Sequence, residues 1–373
     1  MEQAPPANET HLKKIIELQN EIIKFQNIII EKNTIIEKDK EIIKDLQNKL
    51  KKEQQEFITS KPIPIPITPN KKFNILEKQV THQENQIKTI YILQDGRIAA
   101  GDEKGNIIIY NKYNFKPEMT IKESACIMYI TQFKNGSLVS LLDNGYINIH
   151  NLLDNNKYLT LQTIKAYYSC VHKLIVLDND DNRFMTYSDD KTIKCFIKDN
   201  KEYKEDYSFK DDGTNINNLL VTREGEIVYS GFDSMGYSYI KFYDLKLKTI
   251  LSSIKTQTQT YGLTDNLYKL NDTLLLVGAY NSILIVDVYQ RRQIKEIEIN
   301  NYITITSFLK WDEKILLTGD SNGNIKQWII DNDNLILENE KNKAHNLQIR
   351  MIRKNQEGFL ITCSDDAILK IWS

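Results

Sequence analysis

The segment Gly358-FLITCSDDAILKI-Trp372 decides the fold of this chain. It contains an apolar run, a short acidic turn, and a second run in which apolar and polar residues alternate up to Trp372. Asp favours turns because its side chain bonds nearby backbone N–H groups. Alternation with a period of two is typical of a strand with one buried face. The segment therefore predicts a β-hairpin.

Related hairpins recur along residues 71–373. Clear copies are Arg97-IAAGDEKGNIII-Tyr110 and Lys314-ILLTGDSNGNIKQ-Trp328. The residues that close the copies are 40 to 47 residues apart: Tyr110, His150, Phe196, Tyr243, Val286, Trp328 and Trp372. No helical pattern separates the strands, and this period is typical of four-stranded propeller blades. We predict an all-β, seven-bladed β-propeller over 71–373.

At these residues the chain resembles the WD40-repeat β-propeller family. Ser364-DDAILKI-Trp372 is similar to the strand–turn–strand signature, and Lys343-Ala-His345 lies where the family has Gly-His. The resemblance covers about 300 of the 373 residues. It implies a buried structural tetrad, whose loss should reduce stability rather than activity: His345, Thr362, Asp366 and Trp372. The pattern weakens elsewhere, since five of the seven closing residues are not Trp and the Gly-His histidine persists only at 82 and 345.

Ring closure can also be predicted. The seventh repeat lacks a fourth strand after Trp372, and residues 74–80 (NILEKQV) form an unattached strand ahead of the first complete repeat. If this strand completes the last blade, no sheet edge is left unpaired at the junction.

The N-terminal residues belong to another structural class. Large apolar residues occupy every seventh position, as in a coiled coil: Ile15, Ile22, Ile29, Ile36, Ile43, Leu50 and Phe57. We predict a disordered segment over 1–11 and a coiled-coil helix over 12–58, about 70 Å long. Its partner could be one or two copies of itself or a foreign helix; the alternative is a long helix lying on the second domain.

A Pro-rich segment over 59–70 separates the two classes. Successive Ile-Pro steps favour an extended, stiff spacer. An SH3-type ligand is the alternative interpretation, although the flanking basic residues of such ligands are missing.

Composition limits the classes of function. The chain has 49 basic and 50 acidic residues and a formal charge of −1, which argues against nucleic acid or an acidic membrane as partner. No apolar run approaches the roughly 20 residues of a membrane span, and the start has no apolar core of a signal peptide. Four scattered cysteines fit a reduced compartment, so we expect a cytoplasmic protein, possibly associated with the cytoskeleton or a cilium.

Motifs that carry chemistry are missing. The chain has no phosphate-binding glycine loop, no nucleophile elbow, and no Cys or His pair at metal spacing. We therefore expect no enzymatic activity, no cofactor and no metal. Arg291 and Arg292 offer a weak phosphoinositide-binding alternative, and an exposed basic turn is the preferred interpretation.

The expected function is that of a scaffold or adaptor. In propellers of this kind, the loops entering each blade and the central turn of each blade project on one face. Tyr and Arg are good interface anchors, and those loops contain Tyr167, Tyr168, Tyr237, Tyr261, Tyr280, Tyr302 and Arg350. Protein partners would bind this face, while the coiled coil would form homo- or hetero-oligomers. The alternatives are a structural subunit of a large ciliary or cytoskeletal particle and, less well supported, a G-protein-β-like propeller.

Overall fold

The computed structural model describes residues 76–373 apart from 83–84, 154–155, 179, 224, 260–265 and 300–301, and apart from the side chains of 77 and 256–259. The predicted N-terminal segment, coiled coil and Pro-rich spacer, and Tyr261, lie outside the described residues. Within the described ranges, no helix is long and apolar enough to cross a membrane.

The described chain forms 28 strands. In chain order they are β1 (Leu76–Thr81), β2 (Ile87–Ile92), β3 (Ile98–Asp102), β4 (Asn106–Tyr110), β5 (Pro117–Lys122), β6 (Ile127–Gln132), β7 (Leu138–Leu142), β8 (Tyr146–Leu153), β9 (Lys157–Lys165), β10 (Val171–Val176), β11 (Arg183–Ser188), β12 (Thr192–Asp199), β13 (Glu202–Lys210), β14 (Asn215–Arg223), β15 (Glu226–Phe232), β16 (Tyr237–Asp244), β17 (Thr249–Gln259), β18 (Asn266–Lys269), β19 (Leu274–Ala279), β20 (Ser282–Asp287), β21 (Arg292–Glu298), β22 (Ile305–Lys310), β23 (Ile315–Asp320), β24 (Ile325–Asp331), β25 (Asn334–Lys341), β26 (Ile349–Lys354), β27 (Leu360–Ser364) and β28 (Ile368–Trp372).

These strands form seven antiparallel four-stranded sheets, so the predicted seven-bladed propeller is confirmed. Six sheets are built from consecutive strands, beginning with β2-β3-β4-β5. The seventh has the order β1-β28-β27-β26, in which β1 pairs antiparallel with β28 from Leu76 opposite Trp372 to Thr81 opposite Ile368. The first and last strands of the described chain are thereby held together by main-chain hydrogen bonds.

The burial pattern explains why each sheet packs between two others. The second strands are buried along their length, as in β3 and β7, because both of their faces contact neighbouring blades. The outer strands are mostly exposed, as in β9 and β13. Each hydrophobic cluster joins adjacent blades; one packs Phe133 and Leu141 of the second blade against Phe184 and Phe196 of the third. The core is therefore a ring of clusters between blades.

A glycine in the central turn of a blade lets the next loop approach closely. Gly323, between β23 and β24, has a φ of +80°, and a Cβ there would lie 2.2 Å from the carbonyl oxygen of His345. The N–H of His345 in turn donates to the Gly323 carbonyl at 2.9 Å. Gly145 makes the same close approach to Tyr167. This contact fixes the position from which each blade's first polar side chain enters the sheet.

Candidate interaction surface and central channel

The four residues of the implied tetrad lie together in the seventh blade. His345 Nδ1 is 3.0 Å from Asp366 Oδ2, its Nε2 is 2.7 Å from Thr362 Oγ1, and Trp372 Nε1 donates to the same hydroxyl at 2.9 Å. Burial lowers the pKa of His345 despite the opposing effect of Asp366. Burial opposes ionisation of Asp366 as well, but the hydrogen bond from His345 keeps its pKa below the usual value. The network is therefore a neutral imidazole between a carboxylate and a hydroxyl, with each group satisfied.

Other blades fill the His345 position with different side chains. The backbone identifies the position, since the residue there donates its N–H to the central turn of the preceding blade. His82 donates to Ala367, Glu123 to Gly105, Tyr167 to Gly145 and Asp211 to Lys191, at 2.8 to 3.1 Å. The sequence departs from the family pattern at these positions, but the backbone contact remains.

In the second blade the polarity of the network is reversed. Glu123 takes the place of the histidine, and His150 takes the place of the closing Trp. The carboxylate accepts hydrogen bonds from Ser140 at 2.5 Å, Asn148 at 2.6 Å and His150 Nε2 at 2.8 Å. Burial opposes ionisation, but the bonds from His150 and Ser140 lower the pKa of Glu123. The result is a buried acidic network with the same cross-sheet connections.

Blades one and four use further substitutes. In the first, Ala100 lies where Thr362 lies in the seventh, and the Tyr110 hydroxyl reaches His82 Nδ1 directly at 2.7 Å. In the fourth, the Tyr229 hydroxyl donates to Asp211 at 2.9 Å, and Lys241 Nζ lies 2.6 Å from the same carboxylate. Side chains of different length thus close the same gap.

Tyr167 belongs to this internal network rather than to the exposed surface. It is 2% exposed, and its hydroxyl lies 2.8 Å from the Thr186 carbonyl and 3.1 Å from the Lys194 N–H that donates to it. The expectation that Tyr167 presents an interface anchor is therefore corrected. The sequence signal was available: Tyr167 stands four residues before the inner strand β10, as His345 stands four before β26.

Its neighbour and a second loop tyrosine are exposed on one face. We call this the turn face; its large exposed side chains are Tyr168, Met235, Tyr302 and Leu347. Antiparallel strand order places the loops entering β10, β22 and β26 and the turn between β15 and β16 at the same end of the blades. Met235 and Leu347 were missed from the sequence because neither residue type marks an anchor.

Tyr302 is held in a strained backbone conformation. Its φ is +64°, which is uncommon for a non-glycine residue. A β-bridge joins Tyr280 to Thr304, and Asn281 N–H donates to the Ile303 carbonyl at 2.9 Å. The rings of Tyr280 and Tyr302 meet edge to face, with centroids 6.4 Å apart. Such strain persists where neighbours over-determine the backbone, and it is concentrated at functional sites.

The remaining predicted residues make local contacts. Lys255 Nζ lies 3.8 Å from the ring centroid of Tyr237, which is half-buried. Arg350 Nε and Nη2 donate to the two oxygens of Asp365 at 2.9 and 2.7 Å, and Lys88 lies 3.3 Å from the same carboxylate. Arg350 thus lies at the rim of the channel that runs through the disc.

Sequence reasoning missed the central channel. A cavity of about 350 Å³ opens among the inner strands, and its wall includes Tyr129, Lys173, Asn218, Phe308 and Arg353. Lys173 Nζ donates to Asn218 Oδ1 at 3.0 Å. The available signal was a polar or charged residue within inner strands, where the blade core needs none.

Three side chains near the channel mouth could hold a metal ion: Cys170, His172 and Asp189. His172 Nε2 is 2.6 Å from Asp189 Oδ1, and its Nδ1 is 4.0 Å from Cys170 Sγ. Cys170 and His172 are two residues apart on one strand face, a spacing that the sequence search passed over. Burial raises the pKa of Cys170 to about 12, which disfavours the thiolate that a metal needs. Their Asp189–His172 contact orients the ring at the rim.

Arg291 is bound by the protein itself. Its Nη2 lies 2.7 Å from Glu226, a carboxylate whose side chain is 3% exposed, and Arg223 binds the same oxygen at 2.9 Å. Arg291 thus joins the fourth and fifth blades, which differs from the expected exposed basic turn and leaves Arg292 as its exposed member. In comparisons with known proteins, no family model and no curated protein matches the chain.

Proposed function

We propose that this protein is a non-catalytic scaffold or adaptor whose propeller binds a protein or peptide on the turn face. One observation carries the proposal: Tyr168 is 96% exposed and Tyr302 is 76% exposed, on loops tied to a closed disc. Exposed aromatic rings on a rigid support bind with little loss of conformational freedom. Propellers in general serve as interaction platforms, which supports the same assignment.

The N-terminal heptads supply the second half of the proposal. A coiled coil over 12–58 would bring several propellers together, so that weak contacts at each turn face add through effective concentration. Removal of residues 1–60 should then lower the molar mass measured by light scattering to that of one chain. An unchanged mass would contradict oligomerisation through this segment.

The binding face can be tested with matched tyrosines. Tyr168→Ala and Tyr302→Ala should each weaken capture of partners from the native cell by the full chain, and the double variant should abolish it. Tyr113→Ala is the control, because Tyr113 is 73% exposed in the turn between β4 and β5, at the opposite end of the blades. Equal loss in the control, or full binding by the double variant, would refute the turn face as the binding surface.

A further inference from the structure

The channel cavity contains two cations that lie apart from the paired charges at its mouth. Lys173 on β10 and Arg353 on β26 both line it. Among the described residues, no carboxylate lies within ion-pair distance of either one. At the mouth, by contrast, Lys88 and Arg350 share Asp365. Positive charge therefore accumulates inside the channel without a counter-ion from the described protein.

This arrangement is unfavourable for the empty protein. Burial, and then repulsion by Arg353, lowers the pKa of Lys173 to about 8. Lys173 has one amide oxygen as acceptor, that of Asn218. Arg353 donates to the carbonyl of Ile352 at 2.9 Å and to the sulfur of Met351, a weak acceptor. A guanidinium has five N–H donors, so most of its hydrogen-bonding capacity is left for another group.

The geometry points to a site for a small molecule carrying a tetrahedral oxyanion of the phosphate class, held between Lys173 and Arg353. A guanidinium matches two oxygens of such a group at once, and an ammonium adds a compact charge. The cavity volume is in the range of small-ligand sites. Asn218 and Asn266 provide amides in the wall, and Tyr129 and Phe308 provide aromatic surface. This inference does not depend on the proposed scaffold function, because it concerns the inside of the channel.

Titration of the full chain with sulfate and with inorganic phosphate tests the site, at ionic strength held constant with sodium chloride. Saturable binding with a rise in melting temperature is expected. Lys173→Gln and Arg353→Gln should each weaken binding at least about tenfold, which corresponds to about 1.4 kcal/mol. Lys314→Gln is the control, because Lys314 is an exposed lysine in the turn between β22 and β23.

Stability without the anion separates a ligand site from a structural one. Lys173→Gln removes a repelled buried charge, so this variant should melt at the same temperature as the wild type or higher in chloride alone. A purely structural lysine would give a lower melting temperature. Absence of saturable binding by the wild type, or equal weakening in Lys314→Gln, would overturn the proposal.

The pH dependence of the wild type provides a readout that needs no variant. Sulfate keeps its charge over this range, so its affinity should be constant below about pH 8 and fall above it as Lys173 loses its proton. The other titratable or charged groups lining the cavity are Tyr129, His172, Tyr187, Tyr268, Arg350 and Arg353. An affinity that does not change between about pH 7 and about pH 9.5 would refute the role of Lys173.

Discussion

At the residue that precedes each inner strand, His82, Glu123, Tyr167, Asp211 and His345 perform one structural task. Each donates its backbone N–H to the preceding turn and sends a polar side chain into the sheet. What the position requires is a satisfied hydrogen bond in a buried setting, because an orphaned polar group there is costly. Histidine, carboxylate and phenol all meet this requirement when the opposite residue changes with them.

Glu123 gives a prediction about acid stability. Its pKa is lowered in the folded protein, so its contribution to the unfolding free energy is present above the unfolded value of about 4.5 and is lost as the pH falls through the folded value. Glu123→Gln should reduce that free energy by about 1–3 kcal/mol at neutral pH, because its amide group faces the Ser140, Asn148 and His150 donors.

Urea unfolding at neutral and acidic pH measures this effect. The gap between wild type and Glu123→Gln should narrow below about pH 4, where the wild-type carboxyl is also protonated. Glu357→Gln, in an exposed turn, should unfold like the wild type at both pH values. A gap that stays constant with pH would show that ionisation of Glu123 does not stabilise the blade.

At the element scale, the contact between a central turn and the next loop joins neighbouring blades. Gly323→Ala combines a positive φ with a Cβ 2.2 Å from the His345 carbonyl. Gly136→Ala is a matched control with a φ of +87° and no atom within 4 Å of the added Cβ. Both variants carry a backbone cost of about 1 kcal/mol, but only Gly323→Ala must also displace the loop.

We therefore expect Gly323→Ala to lower the unfolding free energy more than Gly136→Ala, by about 1–3 kcal/mol, within the range for steric overpacking. Denaturation of both variants under identical conditions provides the comparison. Equal losses would mean that the loop moves at no cost and that the turn does not position His345.

At the scale of the whole molecule, β1 closes the ring. Deletion of residues 71–81 removes the partner of β28 and leaves an exposed edge beside the buried side chain of Leu369. Unpaired edges template association, so the variant should aggregate in size-exclusion chromatography and turbidity measurements. Deletion of eleven residues over 50–60, upstream of β1, is the control for chain shortening. A soluble, folded 82–373 fragment would refute closure by β1.

The repeat of apolar strands and glycine–acid turns was enough to predict blade number, strand order and the closing strand. Local hydrophobic patterning repeated seven times leaves few ways to bury its apolar surface. The strand expected over 74–80 is observed at Leu76–Thr81, because pairing with β28 determines its register. Tyr168 and Tyr302 could be placed on loops for the same reason.

Only the tertiary structure decided which polar side chains meet. Glu123 and His150 are 27 residues apart, and Lys173 and Arg353 come from different blades. Their chemistry depends on burial and on the neighbours that ring closure supplies. The sequence by itself determined the disc, since strand periodicity is a local property. The buried Tyr167, the reversed network of blade two and the cationic channel arise from contacts between blades, which no local pattern records.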